Sequence, residues 1–162
     1  MKLQSSSLGR LRGDGSRVAL VMSVYPSTVD IRLLGSLEVV DDSGAEVALP
    51  GAKLRGLVAL LAMRPGQVVS TDRLVEDLWG EDPPSGVANS LQVLVSKLRR
   101  ALPAGAVATK APGYLLDVDT ETVDVGRFAR LVSKGRDVLL AGEAENASVL
   151  LGEALALWRG EH

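Results

Sequence analysis

Cysteine is absent from the 162 residues, and the single histidine, His162, is the last residue. A chain without cysteine has no disulfides, no thiolate metal sites and no cysteine nucleophile, which fits a reducing compartment. The histidine count likewise excludes a histidine metal cluster and a histidine-dependent catalytic triad. No Gly-rich phosphate loop of the G-x-x-x-x-G-K type occurs either. We therefore predict that the chain is not an enzyme and has no catalytic residue, no cofactor and no metal.

Aromatic residues are scarce, at 3% of the sequence, whereas hydrophobic residues reach 46%, so the core must consist of Leu, Val and Ala. No apolar run approaches the roughly 20 residues that a membrane-spanning helix needs, and no membrane partner is expected. Residues 1–28 are predicted to be disordered or an extension. A secretory signal is disfavoured, because the apolar run Val18–Val24 is minimal and no cleavage motif follows it.

Asp and Glu are missing from residues 83–116, which contain four basic residues, Lys97, Arg99, Arg100 and Lys110. Since the net charge is −2, this window carries +4 and the rest of the chain −6. A positive face on an acidic protein favours approach to a polyanion. The alternative is a solvated helix end, where Arg99 and Arg100 simply complement the helix dipole.

The order of predicted elements indicates an α+β fold of the winged-helix class. Val29–Val40 and Glu46–Leu49 are predicted to pair as an N-terminal β-hairpin around a turn at Asp41–Gly44, whereas Val68-Val69 is too short for more than a bridge. Apolar spacing predicts three helices, followed by a C-terminal hairpin wing. The helices are Ala52–Met63, a segment capped by Ser70 and ending near Trp79, and Val87–Leu102, capped by Ser85 or its neighbour; the wing strands are Val107–Thr109 and Tyr114–Val118. The winged helix thus spans residues 29–119.

Residues 124–162 have a different pattern, which predicts two helices of tetratricopeptide-like length. The first extends from Asp124 to about Leu140 and the second ends at Gly160. Their apolar positions are Val125, Phe128, Ala129, Val132 and Leu139, then Ala147, Leu150, Leu151, Ala154, Leu155 and Trp158. One such pair cannot bury its own apolar face, so we expect the chain to stop inside a second helical domain.

The third predicted helix presents polar residues opposite its apolar stripe, as a helix that recognises DNA would. Gln92 suits adenine, Lys97 suits guanine, and Val93 suits the thymine methyl group, although an outward valine often has no role. Phosphate contacts are assigned to Asn89, Ser90, Ser96, Arg99 and Arg100, and a minor-groove contact to Lys110 at the wing tip. Trp79 either caps the core, donates its indole N–H to a phosphate, or does both.

Residues 30–118 resemble the OmpR-type winged helix of the actinobacterial antibiotic regulatory proteins, the SARP family. The matching segments are Lys53-Leu54-Arg55, Ser70-Thr71-Asp72-Arg73-Leu74 leading to Leu78-Trp79-Gly80, Leu91 to Arg100 and Pro112-Gly113-Tyr114. Residues 124–160, ending in Leu155-Ala156-Leu157-Trp158-Arg159-Gly160, resemble the start of the bacterial transcriptional activation domain that follows in this family. The resemblance places base contacts on Gln92, Val93 and Lys97, the minor-groove contact on Lys110, and phosphate contacts on Thr71, Trp79 and Arg99.

The resemblance also implies a cytoplasmic transcription regulator, usually an activator. Its expected partners are double-stranded DNA, bound at repeated promoter sites as a homodimer, and RNA polymerase. Two positions depart from the family pattern, because Leu94 replaces a frequent His and Lys110 replaces a common Arg. Lys lacks the planar two-pronged donor geometry of Arg, so minor-groove contact should be weaker.

Two alternatives to DNA binding remain at the level of sequence. One is a protein-interaction module in which the winged helix does not bind DNA and the helical tail binds a partner; the low net charge favours it slightly. The other is an enzyme using the clustered acids Asp117, Asp119, Glu121 and Asp124, but these are expected to solvate a linker after the hairpin.

Overall fold

The computed structural model describes residues 29–160, so the predictions for residues 1–28 and for His162 lie outside the described residues. The strands are β1 (Asp30–Arg32), β2 (Glu38–Val40), β3 (Val69–Ser70), β4 (Val107–Lys110) and β5 (Gly113–Leu116). The helices are α1 (Ala52–Ala62), α2 (Thr71–Trp79), α3 (Val87–Ala101), α4 (Asp124–Leu140) and α5 (Ala144–Ala156), with a 3-10 turn at Thr120–Thr122 before α4. This order confirms the predicted winged helix followed by a helix pair. Within residues 29–160 no helix is long and apolar enough to span a membrane.

The N-terminal hairpin differs from its prediction. β1 and β2 pair with each other inside the segment expected to be one strand, and Gly35, at φ 130°, lies in the turn between them. The expected second strand at Glu46–Leu49 contributes only one bridge, between Val40 and Glu46. The physical reason lies far along the chain: the Asp124 carboxylate accepts hydrogen bonds from the turn residues Leu33 and Leu34 and holds the turn folded.

Three helices enclose the core of the winged helix. All three helices and both sheets contribute fully buried side chains, the largest of which are Ile31, Leu57, Leu61, Leu74, Leu91, Leu98 and Leu116. α2 begins as predicted, with the Ser70 Oγ accepting from the Arg73 N–H at 3.2 Å. α3 begins after Gly86 in the left-handed conformation, the neighbour of Ser85 in the prediction. On the apolar side of α3, Val87 and Leu94 are only half-buried.

The wing is a three-stranded sheet in the order β3-β5-β4. β3 was expected to be no more than a bridge, yet Val69 and Ser70 pair with Tyr114 and Gly113. The hairpin turn is tighter than predicted, because Lys110 already pairs with Gly113 and only Ala111-Pro112 separates the strands. The sheet therefore ties the wing to the start of α2.

The helix pair α4–α5 packs closely where Gly135 lies against Leu151. The predicted apolar stripes are only partly covered, since Ala129 is exposed and Leu139 and Leu155 are 51% and 64% exposed. Further exposed apolar side chains are Leu140, Val149 and Trp158. α5 ends at Ala156, four residues before its predicted end.

The helix pair is joined to the N-terminal hairpin by a polar junction centred on Asp124. This residue was expected to solvate a linker, but it is only 2% exposed. Its carboxylate lies 2.8 and 2.9 Å from the Leu33 nitrogen and 2.9 Å from the Leu34 nitrogen. Arg159 closes the same turn, because its backbone N–H donates to the Leu34 carbonyl at 2.8 Å and its side chain pairs with Glu38 at 2.7 Å.

A second ionic link lies beside this junction. Arg127 of α4 pairs with Asp30 of β1 at 2.8 Å, and Arg32 pairs with the same carboxylate at 2.7 Å. Burial raises the pKa of Asp30, but hydrogen bonds from Arg32 and Arg127 outweigh it and bring the pKa below its ordinary value. The junction therefore keeps its ion pairs at neutral pH.

Candidate nucleic-acid interface

The outer face of α3 forms a shallow groove of about 290 Å³. The groove is lined by six residues predicted from the sequence: Asn89, Gln92, Val93, Ser96, Lys97 and Arg100. All six are exposed, and they recur at three- and four-residue steps, which places them on one side of a helix. The structure thus brings together the three predicted base-contacting side chains and three of the predicted phosphate contacts.

Burial of the opposite side fixes the orientation of this face. Leu91, Val95 and Leu98 are at most 2% exposed and pack into the core. Their spacing of four and three residues leaves the six groove residues on the opposite, outward side of α3. The polar face of α3 is therefore set by the apolar pattern of the same helix.

A second depression, also of about 290 Å³, lies at the N-terminal half of α3. Its lining consists of Lys53, Trp79, Asn89, Ser90, Val93 and Leu94. The Lys53 ammonium lies 4.8 Å from the centroid of the Trp79 ring and donates to the Leu78 carbonyl at 2.7 Å. Trp79 packs against the core, as one of its two predicted roles requires. Its side chain also lines the surface depression. Sequence reasoning missed Lys53 as a site residue, because nothing in its own helix signals contact with Trp79, which is 26 positions away.

The other predicted contacts lie on or against the wing. Lys110 is exposed at the end of β4, beside the tip of the hairpin. Arg99 donates to β4 through Nε to the Val107 carbonyl, at 3.1 Å, and through Nη2 to the Thr109 Oγ1, at 2.7 Å. The Thr71 N–H and hydroxyl both donate to the Pro112 carbonyl at 3.1 Å. Arg99 and Thr71 therefore already have partners in the wing.

The cations of this surface keep their charge unpaired within the described part of the chain. Across residues 29–160 no carboxylate lies within 4 Å of Lys97, Arg99, Arg100 or Lys110. The ion pairs found there involve other basic residues: Arg32, Arg73, Arg127, Arg130 and Arg159. An anionic partner would thus not have to displace an internal acid.

Two family models match the chain. Residues 44–116 match the transcriptional regulatory protein C-terminal domain, and residues 123–162 match the bacterial transcriptional activator domain. The first range contains α1 to β5, and the second begins one residue before α4. The β1–β2 hairpin, which Asp124 and Arg159 contact, lies before both matched ranges.

Proteins similar over most of the chain are regulators. The transcriptional regulator RedD of Streptomyces coelicolor is 39% identical over 144 residues, and the regulatory protein DnrI of Streptomyces peucetius is 36% identical over 144 residues. The structure of Mycobacterium tuberculosis EmbR, solved with a low-affinity phosphopeptide, superposes with a TM-score of 0.77 at 36% identity and covers 83% of the chain. The alignments cover 84% and 82% of this chain but only 41% of RedD, 53% of DnrI and 37% of the EmbR chain.

Proposed function

Because the chain belongs to the antibiotic regulatory protein (SARP) family of transcription regulators, we propose that it binds promoter DNA sequence-specifically through α3 and the wing. α3 enters the major groove, and the wing reaches the adjacent minor groove. The observation that supports this most directly is the composition of the α3 face. Donors suited to bases and phosphates line one groove there, with no acid within 4 Å of its cations among the described residues.

Different residues of this surface are assigned to bases, to the minor groove and to phosphates. Gln92, Val93 and Lys97 contact bases, since all three are exposed on the outer face of α3. Lys110 contacts the minor groove from the wing. Phosphate contacts come from residues of α2 and α3: Thr71, Trp79, Asn89, Ser90, Ser96, Arg99 and Arg100.

The broader role follows the family. Residues 29–119 act as the DNA-binding domain, and residues 124–162 belong to a helical activation domain. The chain acts in the cytoplasm as an activator and not as an enzyme. It binds repeated promoter sites as a homodimer and recruits RNA polymerase.

A salt titration tests DNA binding directly. Neutralising about four to seven phosphates predicts that the logarithm of affinity falls linearly with the logarithm of salt concentration, at a slope near −0.9 per phosphate. Affinity is measured by gel shift on duplexes that the wild-type chain enriches from a random library. Failure to enrich any sequence, or a slope near zero, would reject sequence-specific DNA binding.

A second candidate is a protein-interaction module that does not bind DNA. The exposed apolar side chains of α4 and α5, such as Leu140 at 87% and Leu155 at 64%, favour a partner on the helix pair. This candidate predicts that the chain does not bind DNA. The salt titration, which measures DNA binding, therefore separates it from the first.

Lys97→Ala is expected to relax base preference at one position of the site, at a cost of about 1–3 kcal/mol on the preferred sequence. The reason is the loss of a hydrogen-bond donor that lines the α3 groove. Repeating the enrichment with the variant measures this change. A loss of equal size on every sequence would assign Lys97 to a phosphate instead.

Arg100→Ala is expected to weaken binding to all duplexes by a similar factor and to reduce the magnitude of the salt slope by about one. Arg100 lines the same groove, and we assign its cation to the phosphate backbone of DNA. Arg136→Ala, an exposed position on α4, provides a matched charge-removal control that should leave the slope unchanged. Equal slopes for the Arg100 variant and wild type would place Arg100 outside the interface.

A further inference from the structure

Arg99 joins the last turn of α3 to the wing. Its Nε and Nη2 atoms lie on one edge of the planar guanidinium group, and both donate to β4. The acceptors, the Val107 carbonyl and the Thr109 hydroxyl, are two residues apart on that strand. A fork of this kind fits Arg and not Lys, whose ammonium has no fixed pair of donors.

β4 is open to such a contact because it is an outer strand of the sheet. In the order β3-β5-β4, one edge of β4 has no neighbouring strand within residues 29–160. Arg99 binds β4, while on the other side of the hairpin Thr71 donates to the Pro112 carbonyl. Lys110 lies between these two anchors, directly after Thr109.

We propose that Arg99 is a positioning residue for Lys110: its two-pronged bond to β4 sets the wing relative to α3, so that major- and minor-groove contacts form in one register. This inference rests on the proposed DNA binding. The bonded edge leaves Nη1 available for a phosphate, so positioning and phosphate contact are compatible. Exclusion of water by bound DNA strengthens the Arg99–Thr109 bond, which is exposed in the chain alone.

Thr109→Val removes the acceptor hydroxyl while it keeps the β-branched shape and leaves the Arg99 charge in place. We expect this variant to bind the enriched duplex about two- to ten-fold more weakly, the range for one hydrogen bond. Thr109→Ser retains the hydroxyl and should bind within two-fold of wild type. Because Thr109 is exposed, the midpoint of thermal unfolding should stay unchanged in both variants.

The Lys110→Ala background separates positioning from a general structural effect. If Arg99 acts through Lys110, Thr109→Val should lower DNA affinity less than two-fold in the Lys110→Ala background. The reason is that the wing contact whose position it sets has already been removed, so the two losses are not additive. Hydroxyl-radical footprints should show lost minor-groove protection at the wing end and retained protection along α3. Equal losses in both backgrounds, or wild-type affinity for Thr109→Val, would overturn the positioning role while leaving DNA binding intact. No binding by the wild-type chain would overturn both proposals.

Discussion

Asp124→Ala is expected to lower the free energy of unfolding by about 3 kcal/mol, since the truncation leaves the Leu33 and Leu34 N–H groups without their acceptor. The Leu34 N–H is buried, so water cannot replace the carboxylate there without opening the junction. We also expect the winged helix and the helix pair to unfold separately in this variant. The Asp124 carboxylate is buried and joins α4 to the β1–β2 hairpin through these bonds.

Two tryptophans allow this to be measured, because each unit contains one. Trp79 ends α2 in the winged helix, and Trp158 follows α5 beside Phe128, with their rings 6.1 Å apart. In a Trp79→Phe chain fluorescence reports on the helix pair, and in a Trp158→Phe chain it reports on the winged helix. Their urea transitions should coincide with Asp124 present and diverge in the Asp124→Ala background.

Asp72→Ala is the matched control for the helix dipole. Asp72 also lies in the first turn of a helix, but it is exposed and accepts no hydrogen bond from another described residue. Its removal should cost less than about 1 kcal/mol. Asp124→Asn keeps one acceptor oxygen and should fall between the two. An Asp124→Ala chain that is as stable as Asp72→Ala would show that the junction contributes little beyond the dipole.

The elements that carry the candidate interface were predictable because their signals are local. The apolar spacing of Leu91, Val95 and Leu98 defines both the buried side of α3 and, by exclusion, its outer face. The acid-free window predicted a positive face. Within residues 29–160 no carboxylate lies within 4 Å of Lys97, Arg99, Arg100 or Lys110.

Contacts between distant segments were not predictable from the same sequence. Nothing near Leu33 signals that a carboxylate 91 positions later will hold its turn, so the β1–β2 pairing was missed and Asp124 was assigned to a linker. Likewise, the charge of Arg99 suggested only a phosphate contact, whereas its bonds to β4 depend on how the wing folds back. Local pattern identifies which residues share a face, but tertiary packing decides which of them also bind each other.

Gly113→Ala is expected to destabilise the chain by about 1–3 kcal/mol, the usual cost of inserting atoms into a packed site. A Cβ at this position would collide with the Val69 carbonyl oxygen and lie 2.8 Å from the Ser70 Cα. Both obstacles are backbone, so β5 must move away from β3. The wing then loses its link to α2, and we expect a folded Gly113→Ala chain to bind DNA as weakly as Lys110→Ala.

Gly152→Ala is the control, because it makes the same substitution where there is space for a Cβ atom. Gly152 lies within α5, and among the described residues no atom beyond its neighbours and the nearby backbone of α5 lies within 4 Å of the position that its Cβ would take. Alanine there should raise the free energy of unfolding by about 0.5–1 kcal/mol, because glycine is the less favourable residue inside a helix. Urea unfolding of the two variants should therefore shift in opposite directions from wild type. A Gly113→Ala chain with wild-type stability would mean that β3 and β5 can separate at no cost, and the wing would then not be held by this junction.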